Sequence, residues 1–249
     1  MHDDDFKLLP DDYKVSVVQA LTDAKRTDIN EFVKEFALES FNGIDFLVWD
    51  FINSNLIRNA ADERLISIKV KRGRWTLVLL YDTELKYLYT LMKHKRFKQL
   101  HDQRKKRSTA HYIDALALLN SGLHADNDQL CLFEDEIWDE GVENLLHRIV
   151  RERQDEIERF VVIGFSTSKD DIISVSAIIP STELGVVHEV DWSELIPTNY
   201  GANSVAFDYT PSEEEEEDVL VTLKKQPETG DDPSVNLKQD DDNVNNEEN

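Results

Sequence analysis

Residues 13–25 (YKVSVVQALTDAK) place Val17, Val18 and Leu21 at helical spacing, which predicts an amphipathic helix. Asp28 followed three positions later by Glu31 is a capping-box pattern. It predicts a second helix over 28–40, with Ile29, Phe32, Val33 and Phe36 on its apolar face. Asn42-Gly43 breaks that pattern. The stretch IDFLVWDFINSNLI then carries Phe46, Trp49, Ile52 and Leu56 at three- and four-residue steps, a third and largely buried helix.

The period changes next. RLISIKVK alternates from Leu65 and Ile66 into Ile68 and Val70, with Ser67, Lys69 and Lys71 opposite. Arg72-Gly73-Arg74 turns the chain into WTLVLLYD, a more buried strand. Thr83-Glu84-Leu85 turns it again into KYLYTLM, with Tyr87, Tyr89 and Leu91 on one side. Three strands with short connections predict an antiparallel meander. KRFKQLHDQRKKR reads as a basic helix, and STAHYIDALALLNS as another, capped by Ser108 or Thr109. His111 and Asp114 are spaced to bond across one turn of it. A short strand is possible at Leu130–Phe133. VENLLHRIVRERQDEIE is helical, with Val142, Leu145, Leu146 and Ile149 on one face. RFVVIGFSTS and DIISVSAIIP form a hairpin, Val186–Val190 a further strand, and Asp191 caps a last turn stopped by Pro197. The expected class is α+β, with an antiparallel or mixed sheet made of a central three-strand meander and a C-terminal hairpin, packed with several helices.

This pattern fades at the ends. From Pro211 to Asn249 there are fourteen acids against three lysines, no aromatic residue, and one apolar island at Val219–Leu223. Such a segment buries too little surface to offset the entropy of ordering. The expected organisation is a flexible N-terminus over 1–10, one globular domain over 11–205, and an acidic disordered tail over 206–249. The 249 residues carry 28 Lys and Arg against 51 Asp and Glu, a net charge of −23. A single cysteine, Cys131, excludes an internal disulfide and suits a reducing cytoplasm. No signal peptide and no membrane span are expected.

The charge is unevenly spread. Residues 69–107 hold thirteen basic residues against Asp82, Glu84 and Asp102, a window of +10 in a chain whose remainder is −33. Lys71, Arg72, Arg74, Lys95, Arg96, Lys98, Arg104, Lys105 and Arg107 are the candidate phosphate contacts, with Trp75, Tyr81, Tyr87, Tyr89 and Phe97 interleaved. The tethered acidic tail would compete with nucleic acid for this strip.

Catalytic signatures are missing. There is no GxGxxG, GxxxxGK[ST], HExxH or GxSxG, so no catalytic residue, metal or cofactor is assigned. Cys131, between Leu130 and Leu132, reads as a buried thiol. His94 and His101 sit among basic residues that would repel a metal cation. The expected function is a non-enzymatic interaction protein binding nucleic acid through the basic strip. One alternative is an antitoxin-like or regulatory module whose acidic tail engages a basic protein partner. Another is a magnesium-dependent nuclease using Asp50, Glu63, Asp82 and Glu84 with Lys86, where Glu84-Leu85-Lys86 has the acid-x-Lys spacing. The oligomeric state stays open.

The segments NGIDFLVWDFIN, VKRGRWTLVLLYDTELKYLYTLM, KRFKQL and HYIDAL, between Asn42 and Ala115, resemble an uncharacterised domain family of Firmicute-type bacteria. FVVIGFSTS extends that resemblance weakly. It implies a bacterial cytosolic protein and carries over no activity and no functional residue.

Overall fold

The computed structural model describes residues 6–73, 75–107, 109–125, 136–168 and 171–198. Helix α1 (Asp11–Asp23) buries Val17, Val18 and Leu21. It does not stop where a capping box would start the next helix. A π-type turn (Ala24–Asp28) carries it directly into α2 (Ile29–Phe36). Asp28 therefore has helical dihedrals and caps nothing; its carboxylate instead accepts from Asn55 Nδ2 at 2.7 Å. Ala37, at φ 47°, ends α2 in the left-handed region. Helix α3 (Ile44–Asn55) buries Ile44, Val48 and Ile52, whereas Phe46 of the expected apolar stripe stands 64% exposed.

Strands β1 (Leu65–Arg72), β2 (Trp75–Asp82) and β3 (Tyr87–Lys93) form the expected meander. Arg72 pairs with Trp75, so Gly73-Arg74 is a two-residue connection, and Gly73 takes φ 59° there. Strands β4 (Arg159–Ser168), β5 (Asp171–Pro180) and β6 (Val186–Asp191) form a second antiparallel set. The two sets join in one six-stranded sheet of order 1-2-3-4-5-6. Their junction, β3 against β4, is parallel. A parallel neighbour needs a crossover, and α4 (His94–Gln103), α5 (Tyr112–Ala117) and α6 (Glu136–Val150) supply it. The sheet is thus mixed and the class α+β.

Both faces of the central strands are buried, by opposite partners. Tyr87, Tyr89 and Leu91 of β3, with Val161, Ile163 and Phe165 of β4, meet α1–α3. Leu88 and Met92, with Phe160 and Val162, meet α4–α6. Period-2 alternation assigns each layer its own half of the core. Leu9, only 1% exposed, already belongs to the first half, so packing begins ahead of α1. Among the described residues, no helix is long and apolar enough to cross a membrane.

Asn120 ties the crossover to the sheet. It follows α5 in a short 3₁₀ turn and is fully buried. Its Nδ2 donates to the Phe160 and Pro180 carbonyls at 2.8 and 2.7 Å, and its Oδ1 accepts from Phe160 N at 2.8 Å. Asn120→Ala strands three backbone groups without partners, and should lower the unfolding free energy by about 3 kcal/mol. A urea midpoint that falls at unchanged slope would show this.

Candidate functional site

Helix α4 begins one residue after β3 ends. Phe97 and Leu100 are buried against the sheet, while Lys95, Lys98, His101 and Asp102 are exposed, as are Lys105 and Lys106 in the 3₁₀ turn that follows. Helical spacing thus separates an apolar anchor from a mainly cationic outer face.

The basic window does not form one uniform surface. Along β1, residues alternate between faces, so Lys71 shares the side of Leu65 and Arg72 that of Ile68 and Val70. Lys71 is exposed. The half-buried Arg72 stacks its guanidinium 4.2 Å from the Tyr112 ring centroid. Arg74 lies outside the described residues. Lys95, Lys98 and Lys105 are exposed and Arg96 is half-buried. Arg104 and Arg107 turn inward. Arg107 donates from Nη1 and Nη2 to the two carboxylate oxygens of fully buried Asp114, at 2.6 and 2.8 Å. Arg104 donates to Glu183 at 2.7 Å and lies 3.7 Å from Asp114. These two guanidiniums serve the crossover rather than an external anion. The interleaved rings are also used internally: Tyr81, Tyr87, Tyr89 and Phe97 are buried, and Trp75 packs edge-on to Phe46 and Trp49.

Asp114 has a second task. With His111 it forms a reciprocal cap of α5, accepting from His111 N at 2.7 Å while Ile113 N donates to His111 Nδ1 at 3.2 Å. The helix therefore starts at Tyr112, and His111 takes the capping role expected of Ser108 or Thr109. Ser108 itself, like Cys131 and the expected strand at Leu130–Phe133, lies outside the described residues.

The carboxylates of the nuclease alternative have local partners. Buried Asp82 accepts from Arg64 Nε and Nη2 at 3.3 and 3.1 Å, and from the amides of Glu84 and Leu85 at 2.9 and 3.1 Å. Glu84 pairs with Arg64 as well. Asp50 and Glu63 are exposed. Lys86, at φ 60°, closes the turn by donating its amide to the Asp82 carbonyl at 2.8 Å. Among the described residues, no group of three His, Cys, Asp or Glu side chains is placed to hold a metal ion.

A polar cluster that local spacing did not reveal lies at the C-terminal ends of the parallel pair. His94, first residue of α4, lays its ring over Gly164 of β4; a Cβ at that glycine would overlap ring atoms Cδ2 and Nε2. Its Nδ1 lies 3.0 Å from Ser166 Oγ, and its Nε2 lies 2.8 Å from Ser176 Oγ. Ser176 Oγ donates to Glu189 Oε1 at 2.6 Å. Gly164 and Ser166 share a face of β4, Gly164 pairs with Ser176 across to β5, and β6 supplies Glu189. Burial pushes the His94 imidazole below its ordinary pKa, partly offset by the carboxylates of Glu189 and Asp191. The sequence does carry a trace of this site. Gly164, Ser166 and Ser176 are small or polar residues set among the large apolar residues of Phe160–Phe165 and Val175–Ile179.

A three-layer α+β protein with a basic crossover helix and a histidine–serine cluster is the class that the geometry defines. The chain belongs to a family of unknown function, DUF5986, whose model matches residues 7–237. The match extends well beyond the Asn42–Ala115 segments that carried the sequence resemblance. No curated protein and no solved structure matches the chain.

Proposed function

We propose that this protein works through an interaction surface, and that the outer face of α4 binds the phosphate backbone of nucleic acid. One observation carries the reading: Phe97 and Leu100 hold the helix down, while Lys95 and Lys98 are exposed on it and Lys106 is exposed in the 3₁₀ turn that follows. Arg104 and Arg107 drop out of the contact set because Asp114 engages them. With its bases unread and its buried rings unable to stack, the contact is electrostatic and indifferent to sequence. The acidic stretch after Pro211 competes for the same face in this reading. A cytoplasmic location belongs to the proposal too.

Fluorescence anisotropy with labelled oligonucleotides tests it, at about 50 and 200 mM salt. The full chain should bind more weakly at the higher salt, and removal of residues 211–249 should tighten binding. Replacing Lys95, Lys98 and Lys106 together by alanine should reduce the slope of log K against log salt by about three, one per phosphate contact. No binding by either chain length at the lower salt refutes the reading. A stoichiometric complex with a basic protein that disappears on tail removal would favour the regulatory-module alternative instead.

A further inference from the structure

Hydrogen-bond direction within the His94 cluster follows from donor inventory alone. A carboxylate only accepts, so Ser176 must spend its hydroxyl proton on Glu189, at 2.6 Å. Ser176 Oγ can then only accept from His94, which puts the ring proton on Nε2. The neutral ring presents Nδ1 as a bare lone pair, and Ser166 must donate to it, at 3.0 Å. The chain of donation runs in one direction, Ser166 to His94 to Ser176 to Glu189. This is the logic of a nucleophile, its base and an orienting group, here with a serine between base and acid.

Three further features fit. Gly164 leaves room for the imidazole, as no other residue would. The β4–β5 register shifts between Ser166 and Thr167, a bulge of the kind that re-aims a side chain. Ser166 is half-buried and is followed by exposed Thr167 and Ser168.

We propose that Ser166 is a nucleophile activated by His94, with Ser176 and Glu189 as positioning residues, and that it acts on carboxylic esters. Ser166 Oγ attacks the ester carbonyl carbon and its proton moves to His94 Nδ1. The imidazolium keeps its Nε2–H on Ser176, whose partner Glu189 carries the balancing charge. The ester C–O bond breaks, and the departing alkoxide takes the proton from Nδ1 and leaves as an alcohol. Water then loses a proton to Nδ1, its oxygen attacks the acyl carbon, and Ser166 Oγ recovers the proton as the acid leaves. Ester and water become acid and alcohol, with His94 and Ser166 restored. His94 opens the helix that carries the lysines, but the ester chemistry uses none of them, so either reading can fail without the other.

The test uses the full chain, p-nitrophenyl acetate, and a fluorophosphonate probe with mass-spectrometric mapping of the adduct. One adduct, on Ser166, is expected. Ser166→Ala should abolish it, and His94→Gln should slow labelling by about 100-fold or more. In the unaltered chain the labelling rate should fall on acidification as His94 takes up a proton, with its midpoint below 6.5, the ordinary histidine value. Besides the serines, the side chains facing His94 include the carboxylates of Glu189 and Asp191 on β6, and Lys93 and Lys95 flank it in the chain. Glu189→Gln removes one of those carboxylates and should move the midpoint lower, a shift that a purely structural role would not produce. Absence of labelling above a heat-denatured control overturns the proposal. So does a labelling rate unaffected by pH, a reading that needs no variant to fold.

Discussion

Asp114→Ala should be among the most damaging single substitutions in the described part of the chain. The carboxylate is fully buried and accepts from both terminal nitrogens of Arg107 and from the amide of His111, with Arg104 Nε 3.7 Å away. Removing it leaves Arg107, whose side chain is only 14% exposed, without that carboxylate. An uncompensated buried charge costs about 3–5 kcal/mol. Loss of the α5 cap adds about 1 kcal/mol. A charge effect can be separated from a packing effect by a second variant. Asp114→Leu with Arg107→Met removes both charges at similar volume, and should recover much of the loss. The readout is the urea midpoint of each variant. A loss below about 1 kcal/mol for Asp114→Ala would show that Arg107 reaches solvent when its partner is gone.

That pair also shows what a charge count can and cannot reveal. The +10 window was legible because side-chain charge is a property of each residue alone. Its division was not. Arg104 and Arg107 read the same as Lys95 and Lys98 until the crossover brings Asp114 beneath them. Strands were legible for the same local reason: alternation and the Gly73 and Glu84 turns fix the meander, and Tyr87, Tyr89 and Leu91 do share one face. The parallel junction of β3 and β4 was not legible, because the direction of β4 depends on how α4–α6 return the chain. Helix boundaries failed where side chains had tertiary partners. Asp28 is held by Asn55 of α3, which overrides its local capping preference, while the α5 cap is local but falls to His111 rather than Ser108 or Thr109.

The His94 cluster is the extreme case, since its members come from α4, β4, β5 and β6 and share no motif. What made it possible was a glycine, and Gly164→Ala should expose that dependence. Gly164 shows no left-handed φ; it is needed for space. An added methyl would overlap His94 Cδ2 and Nε2 and come 3.2 Å from Ile178 Cδ1. The ring must move, and in moving it loses the bonds to Ser166 and Ser176 together. Overpacking and lost hydrogen bonds combine to an expected loss of about 3 kcal/mol. The imidazole ¹⁵N shifts should change from a fixed Nε2–H tautomer towards the averaged pattern of a free ring. If the clash is the cause, deleting the ring should remove it. Gly164→Ala in a His94→Ala background should then cost far less than in the unaltered chain, a coupling of about 1–3 kcal/mol. Additive losses would mean that the ring already has a second position open to it. Ser166 would then not be held against a base, and its labelling by fluorophosphonate should fail in the same preparation.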